Sequence, residues 1–185
     1  MNYIITGLIC SGKSTFLDIA KKKGFQIIKS DDLVNQLYKT KKIIESLEEC
    51  FEMIEFRDSP KAKIKELFFK SIECKDKIEK IIHPIVHKIL LEELNSKNNL
   101  FIELPPIKAN YDLIKNNKSI FIDSDFQNRT NRFEMLENSD MTYFNKINSY
   151  QNDYKLIKEC CDIIIFNNHN IDALNKYFEK DIIKS

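Results

Sequence analysis

Gly7-Leu8-Ile9-Cys10-Ser11-Gly12-Lys13-Ser14 is the most informative stretch of this 185-residue sequence. An apolar, β-branched run, Asn2–Thr6, precedes it and predicts a buried strand. After it, apolar residues recur at helical spacing from Lys13 to Lys23, and Gly24 is placed to end that helix. Phe25–Ile28 predicts a second strand. Strand, helix and strand in this order indicate a βαβ unit, and hence a parallel sheet with a right-handed crossover.

The stretch itself has the pattern Gly-x4-Gly-Lys-Ser, in the strand-to-helix context that this pattern requires. Its glycines let the chain curl so that backbone N–H groups point inward at phosphate oxygens, and the helix N-terminus adds a positive end. Lys13 is expected to neutralise the β- and γ-phosphates of ATP, and the Ser14 hydroxyl to ligate Mg²⁺. The other residues of this predicted nucleotide-binding set are Gly7, Cys10, Ser11, Gly12 and Thr15. The alternative is a chance match in a βα turn.

Three further apolar runs predict strands, at Leu100–Leu104, Ser119–Asp123 and Asp162–Phe166. Together with the first two they give a five-stranded parallel sheet. We therefore expect an α/β fold of the three-layer P-loop kinase type, forming a single domain over residues 1–185.

The remaining segments show helical spacing. Residues from about 31 to 97 contain no strong strand and predict a helical insertion, with a long helix beginning near Lys75, where α/β kinases usually bind their acceptor. Polar helices are expected from about Phe126 to Cys161, and residues 126–150 of this stretch are expected to form a short lid. A closing helix is expected over roughly 170–183.

Composition limits the class of partner. Lys plus Arg (29) and Asp plus Glu (28) nearly cancel, so the formal net charge is +1, and no basic excess points to nucleic acid. The first residues lack a basic leader, and no apolar run approaches the length of a membrane span. Five cysteines without a CxxC pair suggest reduced thiols. The expectation is a cytoplasmic protein, a monomer or weak oligomer, that acts on small molecules and binds neither nucleic acid nor membrane.

Two acidic positions are candidates for chemistry at the carboxyl edge of the sheet, where open α/β folds bind ligands. Asp31 follows the second strand and could orient an acceptor hydroxyl and take its proton. Aspartate is equally a favoured helix N-cap, a role that suits the adjacent Asp32. Glu103 ends the third strand and could hold Mg²⁺ through water, or it could be an ordinary strand-end charge.

The ordered set of motifs resembles the dephospho-CoA kinase family over nearly the whole chain. After the phosphate-binding stretch, Ile28-Lys29-Ser30-Asp31 stands in the place of the family's IDAD, and Ile81-Ile82-His83-Pro84-Ile85-Val86 resembles its helical HP signature. Ile102-Glu103-Leu104-Pro105 resembles the strand leading into its PLLFE segment. A last set, Gln151, Asp162 and Asn167, keeps the spacing of its Q…AD…N pattern.

The resemblance implies ATP-dependent phosphorylation of the 3′-hydroxyl of dephospho-CoA, with Asp31 as the catalytic acid–base residue. It also implies an acceptor-site role for His83 and Pro84, and adenine binding by backbone near Asn167. Arg132 matches the first arginine of the family's lid, and Arg129 lies one helical turn before it. Both arginines could reach the transferring phosphates, or they could lie on a solvated helix face.

Two positions differ from the family's pattern. Ala109 stands where the PLLFE segment ends in Glu, and Leu136 stands where the lid carries its second arginine. A nucleoside or deoxynucleoside monophosphate kinase, which shares the loop, insertion and lid, is the enzymatic alternative. A diverged relative that binds nucleotide but no longer turns over is the other. His83 and His87 have metal-ligand spacing, but the HExxH glutamate is absent, which argues against zinc.

Overall fold

The computed structural model describes residues 1–52, 54–56, 59–137, 139–168 and 171–183. The chain divides into two compact units. The first unit comprises Met1–Ile28 and Lys97–Ser185, and the second comprises Lys29–Ser96. Asn170, the first residue of the predicted closing helix, lies outside the described residues.

Five strands form one parallel sheet, which confirms the predicted fold class. In chain order they are β1 (Asn2–Thr6), β2 (Gln26–Lys29), β3 (Leu100–Glu103), β4 (Ser119–Asp123) and β5 (Ile163–Phe166), and their order across the sheet is β2-β3-β1-β4-β5. The central strand β1 pairs in parallel with β3, with Ile5 opposite Glu103, and with β4, with Thr6 opposite Phe121. The carboxyl ends of the strands therefore share one edge, where the Gly7–Ser14 loop begins.

Ten α-helices are assigned over the described residues. They are α1 (Lys13–Lys22), α2 (Ser30–Leu37), α3 (Lys41–Cys50), α4 (Pro60–Lys70), α5 (Ile72–Ser96), α6 (Tyr111–Lys115), α7 (Phe126–Glu134), α8 (Met141–Tyr150), α9 (Tyr154–Cys160) and α10 (Ile171–Phe178). A 3₁₀ turn over Lys108–Asn110 precedes α6. The predicted closing helix ends at residue 183 as expected, with a π-helical turn, Glu179–Ile183, following α10.

The end of α1 shows how local sequence sets an element boundary. Gly24 has a φ of 89°, which favours glycine, and it lies just after the C-cap Lys23. The Phe25 N–H donates to the Ala20 carbonyl and the Gly24 N–H to the Lys21 carbonyl, at 3.1 Å each. This pair of bonds is a Schellman motif, so the predicted helix stop at Gly24 is confirmed.

The core of the first unit lies between the sheet and two helices, α1 and α10. Alternate strand residues, such as Tyr3 and Ile5, point to this side, where the rings of Phe16, Phe101 and Phe178 meet with centroids 5.3–6.1 Å apart. Strand residues of the opposite face are also buried, namely Ile4, Ile102 and Phe121. Burial on both faces is typical of parallel strands and explains their continuous apolar sequence.

The second unit is all-helical, and its apolar side chains line one stripe of α5 at Ile78, Ile82, Val86 and Leu90. Helices α2, α3 and α4 each contact α5. Helix α5 begins three residues before the expected start near Lys75, because the Ser71 hydroxyl accepts the Cys74 N–H at 3.2 Å and so caps the first turn. Among the described helices, none combines the length and the apolar character that crossing a membrane requires.

Candidate nucleotide-binding and acceptor sites

The loop from Gly7 to Ser14 is curled by three residues with positive φ. These are Gly7 (146°), Cys10 (59°) and Gly12 (103°). The Ser11 N–H closes a turn onto the Leu8 carbonyl at 3.1 Å, and α1 begins directly after Gly12. Within the part of the chain that the structure describes, no side chain caps α1, and its first turn carries no acid. The loop therefore presents the positive end of a helix dipole, which is suited to binding an anion.

Both glycines of the loop have a positive φ, and at both positions neighbouring atoms leave no room for a Cβ. A Cβ on Gly7 would overlap the Ile122 carbonyl oxygen at the end of β4. A Cβ on Gly12 would overlap the side-chain amide of Asn167. Any larger residue at either position must displace a neighbour, and thereby the loop.

Lys13 lies folded over the loop that contains it. Its ammonium donates to the carbonyls of Gly7 at 2.8 Å and Leu8 at 3.0 Å. The Glu103 carboxylate, at the end of β3, is 3.8 Å from the same ammonium, and both side chains are largely buried. The structure thus places Glu103 beside the phosphate-binding loop. The parallel pairing of β1 with β3 explains this position.

Two arginines of α7 donate hydrogen bonds to backbone carbonyls of the loop. Arg132 donates to the carbonyls of Cys10 at 3.2 Å, Ser11 at 3.4 Å and Asn167 at 2.6 Å. Arg129 donates to the Ile9 carbonyl at 3.3 Å. The expectation that one turn of helix aligns the two side chains is met, because both reach the same loop.

Arg129 is only 4% exposed, so a solvated helix face is wrong for this residue. Besides Ile9 it binds the Ser124 carbonyl at 3.2 Å and the Asn148 side-chain oxygen at 2.9 Å. The rings of Phe126 and Phe144 lie 5.5 and 5.9 Å from its guanidinium carbon. Burial lowers the pKa of this guanidinium, yet arginine stays charged, and the adjacent rings and carbonyl oxygens stabilise that charge.

Two buried amide side chains complete the support of the loop. Asn167, directly after β5, donates through its side-chain nitrogen to the Ser11 carbonyl at 2.8 Å, and its own carbonyl accepts from Ser124 at 3.0 Å. Gln151, after α8, accepts the Ile9 N–H at 2.8 Å. Sequence reasoning missed the roles of Gln151 and Ser124, since only family spacing marked Gln151 and nothing marked Ser124.

Cys10 and Ser14 differ in their surroundings. Burial raises the pKa of the Cys10 thiol, while the charges of Lys13, Arg129 and Arg132 act in the opposite direction. The thiol is therefore largely protonated at neutral pH and a weak nucleophile. Ser14 is exposed at the start of α1, and Thr15 beside it is half-buried. Both lie in the first turn, where backbone N–H groups have no partner within the helix.

Asp31 and Asp32 lie in the second unit, both exposed in the first turn of α2. The helix begins at Ser30 and its N-cap is Lys29, so the expected N-cap role of Asp32 is wrong. Because α2 follows β2 without an intervening loop, the helix begins one residue before Asp31. Carboxylates in the first turn still favour the helix through its dipole.

His83 and Pro84 lie within α5, as the sequence predicts. The half-buried His83 ring stacks on His87 with centroids 6.0 Å apart, and its Nε2 atom is 4.0 Å from the Glu79 carboxylate. Burial lowers the pKa of His83, although Glu79 opposes that shift. Pro84 is exposed and lacks an N–H for the helix ladder. No cluster of three or more His, Cys, Asp or Glu side chains suited to a metal occurs among the described residues.

The predicted site residues thus fall into two groups. The first unit brings together Gly7–Thr15, Glu103, Arg129, Arg132 and Asn167, and the second unit contains Asp31, His83 and Pro84. The two positions that depart from the family pattern are both exposed. Ala109 lies in the 3₁₀ turn before α6, and Leu136, 55% exposed, follows α7.

The family model and the curated relatives that match this sequence are dephospho-CoA kinases. The family model described as dephospho-CoA kinase matches residues 3–173. A dephospho-CoA kinase of Fusobacterium nucleatum is 27% identical over 183 residues, covering 95% of this chain and 94% of that protein. A dephospho-CoA kinase of Bartonella quintana is 34% identical over 85 residues, covering 45% of this chain and 44% of that protein.

Solved structures show the same fold. The protein TT1252 of Thermus thermophilus superimposes with a TM-score of 0.78 at 19% identity, covering 100% of this chain and 97% of that one. Dephospho-CoA kinase of Campylobacter jejuni gives 0.69 at 20% identity, with 99% and 96% covered. Shikimate kinase of Acinetobacter baumannii gives 0.62 at 15% identity, with 100% and 94% covered.

Proposed function

Because the chain belongs to the dephospho-CoA kinase family, we propose that it transfers the γ-phosphoryl group of ATP to the 3′-hydroxyl of dephospho-CoA, the last step of coenzyme A biosynthesis. The observation that carries this proposal is the curled loop before α1, in a chain that matches the family from residue 3 to residue 173. The reaction is an in-line displacement, in which positioning and charge neutralisation provide most of the catalysis.

The donor side is the loop and the start of α1. The N–H groups of the first turn of α1, with those of Gly12 and its neighbours, receive the phosphate oxygens of ATP. Lys13 exchanges its loop carbonyl acceptors for oxygens of the β- and γ-phosphates and neutralises their charge. The Ser11 hydroxyl supports phosphate binding by the loop, because it is buried and has no hydrogen-bond partner among the described residues.

The donor set at the loop fits Mg²⁺. A hydroxyl at Ser14 and a carboxylate at Glu103 are hard oxygen ligands, and Mg²⁺ usually keeps several waters and binds through few protein groups. Ser14 would hold the ion directly and Glu103 through water. When bound, Mg²⁺ supplies positive charge to the phosphate oxygens of ATP. Glu103 also orients Lys13 through their ion pair.

The two arginines of α7 have different parts in this proposal. Arg132 is the catalytic arginine, which stabilises charge on the γ-phosphoryl group in the transition state. Its contacts with the Cys10 and Ser11 carbonyls give it a second effect, since they fix the peptide groups of the loop. Arg129 is buried and binds the loop, so it affects ATP binding indirectly, by positioning the loop. Asn167 fixes the loop through its side-chain bond to the Ser11 carbonyl, and the backbone beside it binds the adenine.

The acceptor side is assigned to the second unit. Asp31, which is exposed in the first turn of α2, accepts the proton of the 3′-hydroxyl as that oxygen attacks. His83 and Pro84 contact the acceptor from α5. A lowered pKa keeps His83 neutral near pH 7, where it can both donate and accept a hydrogen bond. The enzyme acts in the cytoplasm as a monomer or weak oligomer, and both substrates are small molecules.

An acceptor panel tests the proposal. ADP release is measured with ATP, Mg²⁺ and either dephospho-CoA or one of the nucleoside and deoxynucleoside monophosphates. We expect turnover with dephospho-CoA alone. Turnover with a monophosphate but not with dephospho-CoA would support the alternative kinase class. ATP binding by calorimetry without turnover of any acceptor would instead indicate a nucleotide-binding protein that has lost catalysis.

A further inference from the structure

One face of α2 leads from Asp31 to Tyr38. Asp31, Asn35 and Tyr38 are spaced i, i+4 and i+7, so their side chains lie on the same side of the helix. Burial raises the pKa of Tyr38 to about 12, and the negative charges of Asp31 and Glu79 contribute to that rise. The phenol and the proposed catalytic carboxylate therefore share one side of the same helical segment, inside the same compact unit.

A cavity of about 210 Å³ lies at the Tyr38 end of this face. It is lined by Asn35, Tyr38, Lys39, Pro60 and Lys61. Both lysines are exposed, and neither forms an ion pair with another described residue. The side-chain amide of Asn35 and the phenol of Tyr38 add hydrogen-bonding groups. Two ammonium groups with an amide and a phenol suit an anionic group that carries several oxygen atoms.

The spacing along α2 matches the layout of the proposed acceptor. Dephospho-CoA carries its reacting 3′-hydroxyl on the ribose, a diphosphate on the 5′ side, and the pantetheine arm beyond it. Tyr38, the C-cap of α2, lies seven residue steps after Asp31, a helical rise of about 10 Å. That distance is comparable to the length of a ribose with its 5′-diphosphate.

We propose that the cavity at Tyr38 binds the 5′-diphosphate of dephospho-CoA, with Lys39 and Lys61 neutralising its two charges. This inference rests on the proposed function. It gives a binding site to the diphosphate of the acceptor, whereas Asp31 meets only the 3′-hydroxyl. A second feature, a shallow surface depression of about 410 Å³ that is open to solvent, shares Pro60 and Lys61 with the first and continues along the start of α4 past Ala62 and Lys65. Its lining is mostly apolar, so it gives the pantetheine arm a path away from the diphosphate.

The test is the double variant Lys39→Ala/Lys61→Ala. Removing two contacts to a charged group should raise the KM for dephospho-CoA about tenfold or more, with the KM for ATP unchanged. The salt dependence of the KM for dephospho-CoA should weaken at the same time, since fewer charges meet at the site. The matched control is Lys155→Ala/Lys176→Ala, which removes the same charge from exposed positions of α9 and α10 in the first unit and should leave both KM values unchanged.

Calorimetric binding of dephospho-CoA to the same three proteins distinguishes a failure of the proposed function from a failure of the cavity assignment. If the wild type binds dephospho-CoA without turning it over, the proposed function fails, and weaker binding by Lys39→Ala/Lys61→Ala alone still supports the cavity assignment. If the double variant binds and turns over dephospho-CoA as the wild type does, or if the control pair loses affinity equally, the cavity assignment is wrong.

Discussion

Arg129→Lys tests whether a buried arginine positions the phosphate-binding loop. Lysine keeps the charge but has no planar fork, so it can replace only part of the three bonds to Ser124, Ile9 and Asn148. Hydrogen bonds to charged groups contribute about 1.5–3 kcal/mol each, and the two aromatic rings add a smaller cation–π contribution. We expect the free energy of unfolding to fall by about 2–4 kcal/mol, and Tm by about 5 °C or more for a chain of this size.

Because Arg129 binds the phosphate-binding loop, Arg129→Lys should also weaken ATP binding. If about 1.4 kcal/mol of the lost energy comes from loop positioning, the KM for ATP rises about tenfold. The KM for the acceptor should not change, because the contacts of Arg129 all lie in the first unit. Urea unfolding and steady-state kinetics measure both effects, with the exposed Lys155→Met on α9 as a control.

Arg129 does not position the loop if Arg129→Lys keeps its KM for ATP and unfolds within about 0.5 kcal/mol of the wild type, as surface substitutions do. A loss of stability with no change in that KM would reduce Arg129 to a structural residue.

Three further predictions concern the loop, the base and the second unit. Asp31→Asn should lower kcat by about 10²- to 10⁴-fold with ATP affinity intact, and surviving turnover would exclude Asp31 as the base. Gly12→Ala should abolish ATP binding measured by calorimetry, since its Cβ would overlap Asn167, whereas Gly24→Ala, at positive φ in open space, should cost only about 1–2 kcal/mol of stability and leave ATP binding intact. Because burial lowers the pKa of His83 in the folded state, the unfolded state binds more protons as the pH falls through about 6.5, so acid should lower the free energy of unfolding. Measured by urea unfolding, the free energy of unfolding of His83→Gln should depend less on pH in this range. An unchanged pH dependence would show that His83 is not its source.

The strands and the loop were predictable because their signals are local. Asn2–Thr6 is a continuous apolar run, as a strand buried on both faces requires, and the Gly7–Ser14 pattern follows directly. At the end of α1 the Gly24 N–H binds the carbonyl three residues earlier and the Phe25 N–H the carbonyl five residues earlier, so a short window of sequence contains all the information.

The support of the loop was not predictable, because its partners are distant in sequence. Gln151 meets Ile9 across 142 residues, and Asn167 meets Ser11 across 156. Burial of Arg129 also runs against the tendency of arginine to stay exposed, and it depends on acceptors that only the folded chain assembles. The start of α2 was misjudged for a different reason, since β2 passes into the helix without the loop that would place Asp32 at the cap.

The most direct test of the central claim is the identity of the phosphorylated product. Purified protein is incubated with ATP, Mg²⁺ and dephospho-CoA, and the products are examined by mass spectrometry and ³¹P NMR. We expect one new phosphomonoester on the ribose 3′-oxygen, formed in equal amount with ADP. A phosphoryl group at any other position, or ATP consumed without a phosphorylated acceptor, would contradict it.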